Sequence, residues 1–201
     1  MKMQRLRQLT LGSALSLLLS AAAWADREYV IYFAVDKIPN DWTVTVNTPL
    51  GYAPNSECMS VWQVPAQLEI IGINHDKGVA QPTQRLRYFV VKIKDKDDLG
   101  CWLKPKYNTW TFEIKPPFDD RDRDKKKVTG QVQFHHSHNH DLDMWMTAIY
   151  AKNTDDKHNF NYVGSAICDS GIGYWQDCLN RRVYGSNAAN TIYIYFQYQP
   201  I

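Results

Sequence analysis

The chain has 201 residues, a length for one domain or two small ones, with 23 basic against 21 acidic side chains. Lys2, Arg5 and Arg7 precede an apolar run from Leu9 to Leu19 and the close Ala21-Ala22-Ala23-Trp24-Ala25. This is the layout of a secretory signal peptide, so residues 1–25 are expected to be removed, leaving 26–201 with a charge of −1. That near-neutral balance excludes a generally basic nucleic-acid binder. A chain 44% hydrophobic and 22% charged is not a disordered one. After the leader no apolar run reaches the roughly 18 residues of a membrane-spanning helix.

In chain order the remainder reads with period two. Tyr29–Val35 is apolar on both faces. Trp42, Val44 and Val46 alternate with Thr43, Thr45 and Asn47 after the turn Pro39-Asn40-Asp41. Trp62, Val64, Ala66, Leu68 and Ile70 alternate with polar neighbours, and Pro65, which has no amide hydrogen for a ladder, predicts an edge strand or a break there. Tyr88–Ile93 is again apolar on both faces. Trp110, Phe112 and Ile114, then Val132 and Phe134, alternate with Thr, Gln and Glu. Between them Asp119–Lys127 (DDRDRDKKK) reads as a solvated hairpin loop; Asp120, Asp122 and Asp124 have the opening spacing of a calcium loop but lack its glycine and distal glutamate. Met144–Ala151, Phe160–Ser165 and Ile192–Tyr198 complete nine strands, with a weak helical signal over 173–182 alone. Runs apolar on both faces suit central or covered strands. The expected fold is therefore all-β, a single antiparallel β-sandwich of about nine strands over 26–201, stapled by two disulfides.

The four cysteines lie beyond the leader, and an even count in an exported chain reads as a disulfide framework. Of the three pairings, Cys58–Cys101 and Cys168–Cys178 join nearest neighbours in sequence. No C-x-x-C spacing supports zinc on these residues. No N-x-S/T sequon occurs, which fits a bacterial protein, periplasmic or secreted.

The segment Phe134–Met146 holds His135, His136, His138 and His140. Read as a hairpin loop between strands ending at Phe134 and starting near Asp143, it offers His136, His138 and His140, which share one parity, to Zn²⁺ or Cu²⁺. Ser, Asn, His and Asp are equally ordinary loop residues, and His75 and His158 read as surface. Neither a G-x-S-x-G elbow nor an H-E-x-x-H signature is present, so no catalytic set is assigned and a binding role is favoured over an enzymatic one.

The aromatic excess carries the other signal: 7 Trp, 12 Tyr and 7 Phe. Tyr174 and Trp175 sit inside the loop that Cys168–Cys178 would close, flanked by Asp169 and Gln176. Rings on a cross-linked loop can stack on a sugar or anchor a protein; the competing expectation folds Trp175 back over the sheet edge as core. Tyr193 and Tyr195 share one face, opposite Ile192, Ile194 and Phe196. The function expected is an exported, soluble binding module for a glycan or protein, needing no cofactor and spanning no membrane. A histidine-loop metal protein or metal-dependent hydrolase is the first alternative, and a secreted structural or effector protein the second.

Overall fold

The computed structural model describes residues 27–39, 41–47, 55–62, 68–71, 88–117, 119, 121–122, 126–154, 162–169, 173–185 and 189–198, with 61–62 and 68–71 given by their backbone alone. The regular elements among them are twelve strands: β1 Glu28–Val35, β2 Thr43–Asn47, β3 Met59–Trp62, β4 Leu68–Ile71, β5 Tyr88–Asp95, β6 Lys106–Lys115, β7 Val128–Asn139, β8 Met144–Asn153, β9 Val163–Asp169, β10 Trp175–Asp177, β11 Val183–Gly185 and β12 Thr191–Phe196. They form two six-stranded sheets. Sheet A has the order β10-β9-β12-β1-β5-β3 and sheet B the order β11-β8-β7-β6-β2-β4.

Alternation explains which face of each strand is buried. Tyr29, Ile31 and Phe33 of β1, Phe89, Val91 and Ile93 of β5, and Ile192, Ile194 and Phe196 of β12 turn inward from sheet A. Trp110, Phe112 and Ile114 of β6, with Val128, Val132 and Phe134 of β7, turn inward from sheet B. The two sets meet: Phe33 packs edge-on against Trp110 at 5.2 Å, Tyr29 on Phe134 at 4.6 Å and Phe112 on Phe196 at 5.0 Å. This is a two-sheet, sandwich-like all-β architecture.

Both disulfides are formed in the nearest-neighbour pairing. Cys58–Cys101, with Cα atoms 5.4 Å apart, ties the approach to β3 to the β5–β6 connection. Cys168–Cys178, at 5.9 Å, straps β10 to β9.

Three expectations are corrected. Twelve strands replace about nine, because the 62–70 run divides into β3 and β4, which lie at the edges of different sheets, and because 173–185 forms two short strands instead of a helix. Pro65 itself lies outside the described residues. The fold is not purely antiparallel: sheet B is, but β1 and β12 pair in parallel at the centre of sheet A. Finally, His135, His136 and His138 lie in a strand and not in a loop, and only His140 of the segment's histidines falls in the turn. β7 continues to Asn139, whose side-chain oxygen accepts hydrogen bonds from the amides of Asp141 (2.9 Å) and Leu142 (3.1 Å) and so starts the turn over 140–143. The chain turns where Asn can cap its own backbone, five residues later than hydropathy suggested. His75 and His158 lie outside the described residues.

The inter-strand packing is tight enough to test. Gly130 of β7 sits beneath the Phe112 ring, and a Cβ there would also approach the Lys152 carbonyl oxygen at 2.8 Å. Gly130→Ala is expected to cost about 1–3 kcal/mol in chemical denaturation, as overpacking does. An unchanged midpoint would show that the ring and strand move aside freely.

Candidate binding face

The strands of sheet A that read as apolar on both faces carry partly exposed residues on their outward face. Their outward residues form cross-strand rows fixed by register. One row runs Asp169, Thr191, Val30, Lys92 from β9 through β12 and β1 to β5. The next runs Ile167, Tyr193, Tyr32, Val90, and the third Ser165, Tyr195, Ala34, Tyr88. Trp175 pairs with Asp169 and therefore shares this face. The result is a continuous aromatic patch. Tyr32 stacks on Tyr193 at 4.4 Å with planes 11° apart. Tyr88 tilts against Tyr32 at 5.7 Å, Trp175 meets Tyr193 edge-on at 5.4 Å, and Tyr195 lies nearly parallel to Tyr193 at 6.3 Å. Burial first, and then the neighbouring phenols of Tyr32, Tyr195 and Tyr88, hold the Tyr193 hydroxyl above its ordinary pKa range.

The geometry decides what such a patch can offer. Tyr32 and Tyr193 spend a ring face on each other, so neither offers both ring faces to a ligand. Trp175 is 51% exposed, Tyr88 52% and Tyr174, one residue before β10, 68%. Trp175 is thus not a satellite of the core. It keeps one contact with the face and leaves half its surface free. Of the residues expected to act together, Asp169 and Trp175 share the outward face, while Gln176 pairs with Cys168 and falls on the opposite parity. Tyr32, Tyr88 and Tyr195 join the site. Their signal was in the sequence, since apolar runs with Tyr on alternate positions need not be covered on both sides.

His136 and His138 share a face of β7, and it is the face turned toward the interior, while His140 lies beyond the strand in the turn and is exposed. His136 is buried, stacked on Trp145 at 4.6 Å with planes 3° apart, and its Nδ1 lies 3.0 Å from the Thr147 hydroxyl. His138 Nε2 is 3.2 Å from the Asp143 carboxylate, and its ring is 5.3 Å from that of the exposed His140. Among the described residues no group of three or more His, Cys, Asp or Glu side chains is placed to hold a metal ion.

Beside His136 lies a polar cluster that sequence reasoning missed. Lys106 is 1% exposed, yet its ammonium contacts Asp95 at 3.1 Å, pairs with Asp97, and lies 4.7 Å above the Trp145 ring. Asp95, equally buried, also accepts hydrogen bonds from the Tyr29 hydroxyl (2.8 Å) and the Arg27 amide (2.6 Å). Lys106 is on sheet B and Asp95 on sheet A, so the pair bridges the sheets at the end where β5 passes into β6. Burial, then the charges of Arg27, Lys106 and His135, push the His136 pKa well below the ordinary imidazole range. Burial, then Asp95, pushes the Tyr29 phenol well up.

Comparison with family models, with curated proteins and with solved structures finds no match. Among the described residues no helix is long and apolar enough to cross a membrane.

Two outcomes follow from the cluster. Lys106→Met removes the cation and leaves Asp95 buried with a charge; about 3–5 kcal/mol of stability should be lost in urea unfolding. A loss below about 1 kcal/mol would mean that Asp95 is relieved by solvent. The second outcome concerns acid. Unfolded His136 takes up a proton near pH 6.5, whereas the folded residue resists it, so the unfolded state binds more protons below that value. Stability is then complete above about pH 6.5 and declines as pH falls toward the depressed folded pKa, with a slope of up to about 1.4 kcal/mol per pH unit. His136→Gln should flatten this part of the profile; an unaltered slope would assign it to other groups.

Proposed function

We propose that this chain is an exported, single-domain sandwich module that recognises a protein partner through the aromatic face of sheet A. The observation that carries the reading is the cluster of Tyr193, Tyr32, Tyr88, Trp175 and Tyr195 on the outward side of the stretch of sheet A from β10 to β5. A solvent-facing patch of large side chains is a mark of an interaction surface. Tyr and Trp supply wide, rigid, amphipathic contact at low entropic cost, which is why they dominate protein-binding surfaces. The breadth of a sheet face, and ring faces already spent on one another, suit another protein surface better than the open ring faces a sugar stacks on. Export is read from the basic-apolar-Ala leader, and two disulfides fit an oxidising compartment.

A glycan is the second reading, favoured by one observation: Tyr174 and Trp175 are each more than half exposed, on a corner strapped by Cys168–Cys178.

The test uses a photo-crosslinking amino acid placed singly at Tyr88, Trp175 and Tyr195, with Gln131 of sheet B as control, in the exporting cell. Defined protein adducts at the three face positions and none at Gln131 support the reading. No adduct above the control at any of them overturns it. Trp175→Ala should abolish the adducts formed from Tyr195 while shifting stability by no more than about 1.5 kcal/mol, the worth of one aromatic contact. Binding on a glycan array that disappears in the same variant would replace the protein reading with the sugar one.

A further inference from the structure

Resting on that reading of the aromatic face, we infer that the partner it fits is a second copy of the same chain. The argument is in the rows. Sheet A has six strands, and its midline falls between β12 and β1, where Tyr193 and Tyr32 stack. A two-fold axis laid in the face along that midline, parallel to the strands, keeps each row at its own level and reverses its order. Asp169 of one copy then stands opposite Lys92 of the second, and Thr191 opposite Val30. In the middle row Ile167 meets Val90 of the second copy, and Tyr193 meets Tyr32. In the third row Tyr195 meets Ala34 and Ser165 meets Tyr88.

Every row is matched under this one operation. The first pairs an acid with a base, the second is apolar and aromatic throughout, and in the third each large ring faces a small side chain. Symmetric dimers need such self-complementarity, because the same patch must serve on both sides. Sheets packed face to face with nearly aligned strands, about 10 Å apart, adopt the arrangement that this axis produces. The charges at the two ends of the face have opposite signs. Asp169 and Asp177 lie on β9 and β10, with Arg181 3.8 Å from Asp177; Lys92 and Lys94 lie on β5, with Glu28 3.2 Å from Lys92. A docking inverted along the strands would lose the Asp169–Lys92 pairing.

The rotation preserves direction along the strands. The ends that carry the β5–β6 connection with Leu99 and Trp102, the β7–β8 turn with Leu142, and Tyr174 would therefore point the same way in both copies. All four of these side chains are exposed.

The experiment is sedimentation velocity of the disulfide-intact mature chain across a concentration series. The inference expects a monomer–dimer equilibrium. Lys92→Glu and Asp169→Lys should each weaken it by more than about tenfold, since each places like charges in contact twice. Mixing the two variants should restore a heterodimer, because the carboxylate introduced at position 92 of one copy then faces the ammonium introduced at position 169 of the other. A chain that stays monomeric throughout, or a dimer indifferent to both reversals, overturns the inference. If such a monomer still gives face-specific adducts with another protein in cells, recognition by the face stands and only its partner changes. If the adducts are absent too, both fall.

Discussion

The parallel pairing of β1 with β12 is the constraint on which the candidate site depends. These strands are more than 150 residues apart in the chain, and their register places Tyr32 beside Tyr193 and Ala34 beside Tyr195. Side chains alternate strictly along a strand, so a slip by one residue would send Tyr32 and its neighbours into the core and Ile31 and Phe33 into water. The inner pattern of β1 and β12 therefore fixes the outer one. Ile31, Phe33, Ile192 and Ile194 reach the core only in a register whose parity also turns Tyr32, Tyr193 and Tyr195 outward. What the outside presents is a consequence of what the inside must bury.

At the end where β5 leads into β6, the sheets are held by a different kind of contact. A buried ion pair seldom adds net stability over a well-packed apolar substitute, because desolvating both charges offsets much of the attraction. Its value here is positional. Asp95 gathers the Tyr29 hydroxyl, the Arg27 amide and the Lys106 ammonium, so one carboxylate ties the start of β1 and the end of β5 to the start of β6. Cys58–Cys101 closes over the same corner, and Ser60 donates to the Asp95 carbonyl oxygen at 2.8 Å. The interleaving of Lys106, Trp145 and His136 extends that order into β7 and β8.

Much of the architecture was legible. Period two in β2, β6 and β7 named Val44, Trp110, Phe112, Val132 and Phe134 as inward residues, and they are buried. Cysteine spacing gave the two disulfides. The parallel β1–β12 pairing was not legible, because hydropathy along a strand says nothing about which strand lies beside it. The Lys106 cluster was hidden for a related reason. A lysine at the start of a strand reads as solvated, and only the approach of Asp95 from the other sheet makes its burial tolerable. The histidine segment misled because Ser, His and Asn are common in loops. The alternation that began at Val128 in fact runs unbroken through His136. Tyr174 and Trp175 were picked out correctly as exposed aromatics, while the rest of their face was hidden in runs that looked apolar on both sides.

Those runs hold a distinction that a hydropathy scale blurs. In β12 the inward residues are Ile192, Ile194 and Phe196, and the outward ones Thr191, Tyr193 and Tyr195. In β1 the inward Ile31 and Phe33 are pure hydrocarbon, and the outward Tyr32 carries a hydroxyl. Tyr29 is the exception that supports the rule. It is the inward tyrosine of β1, and its hydroxyl is bonded to Asp95. Phenols are placed where the oxygen has water or a partner, and bare rings where it would have neither. A face built of tyrosine can therefore remain wetted when alone and still bury ring surface when a partner arrives. A face of phenylalanine and leucine in the same positions would lack that first property. Its unpartnered state would be an aggregation hazard, which is a physical reason for the outer face of sheet A to be aromatic and hydroxylated together.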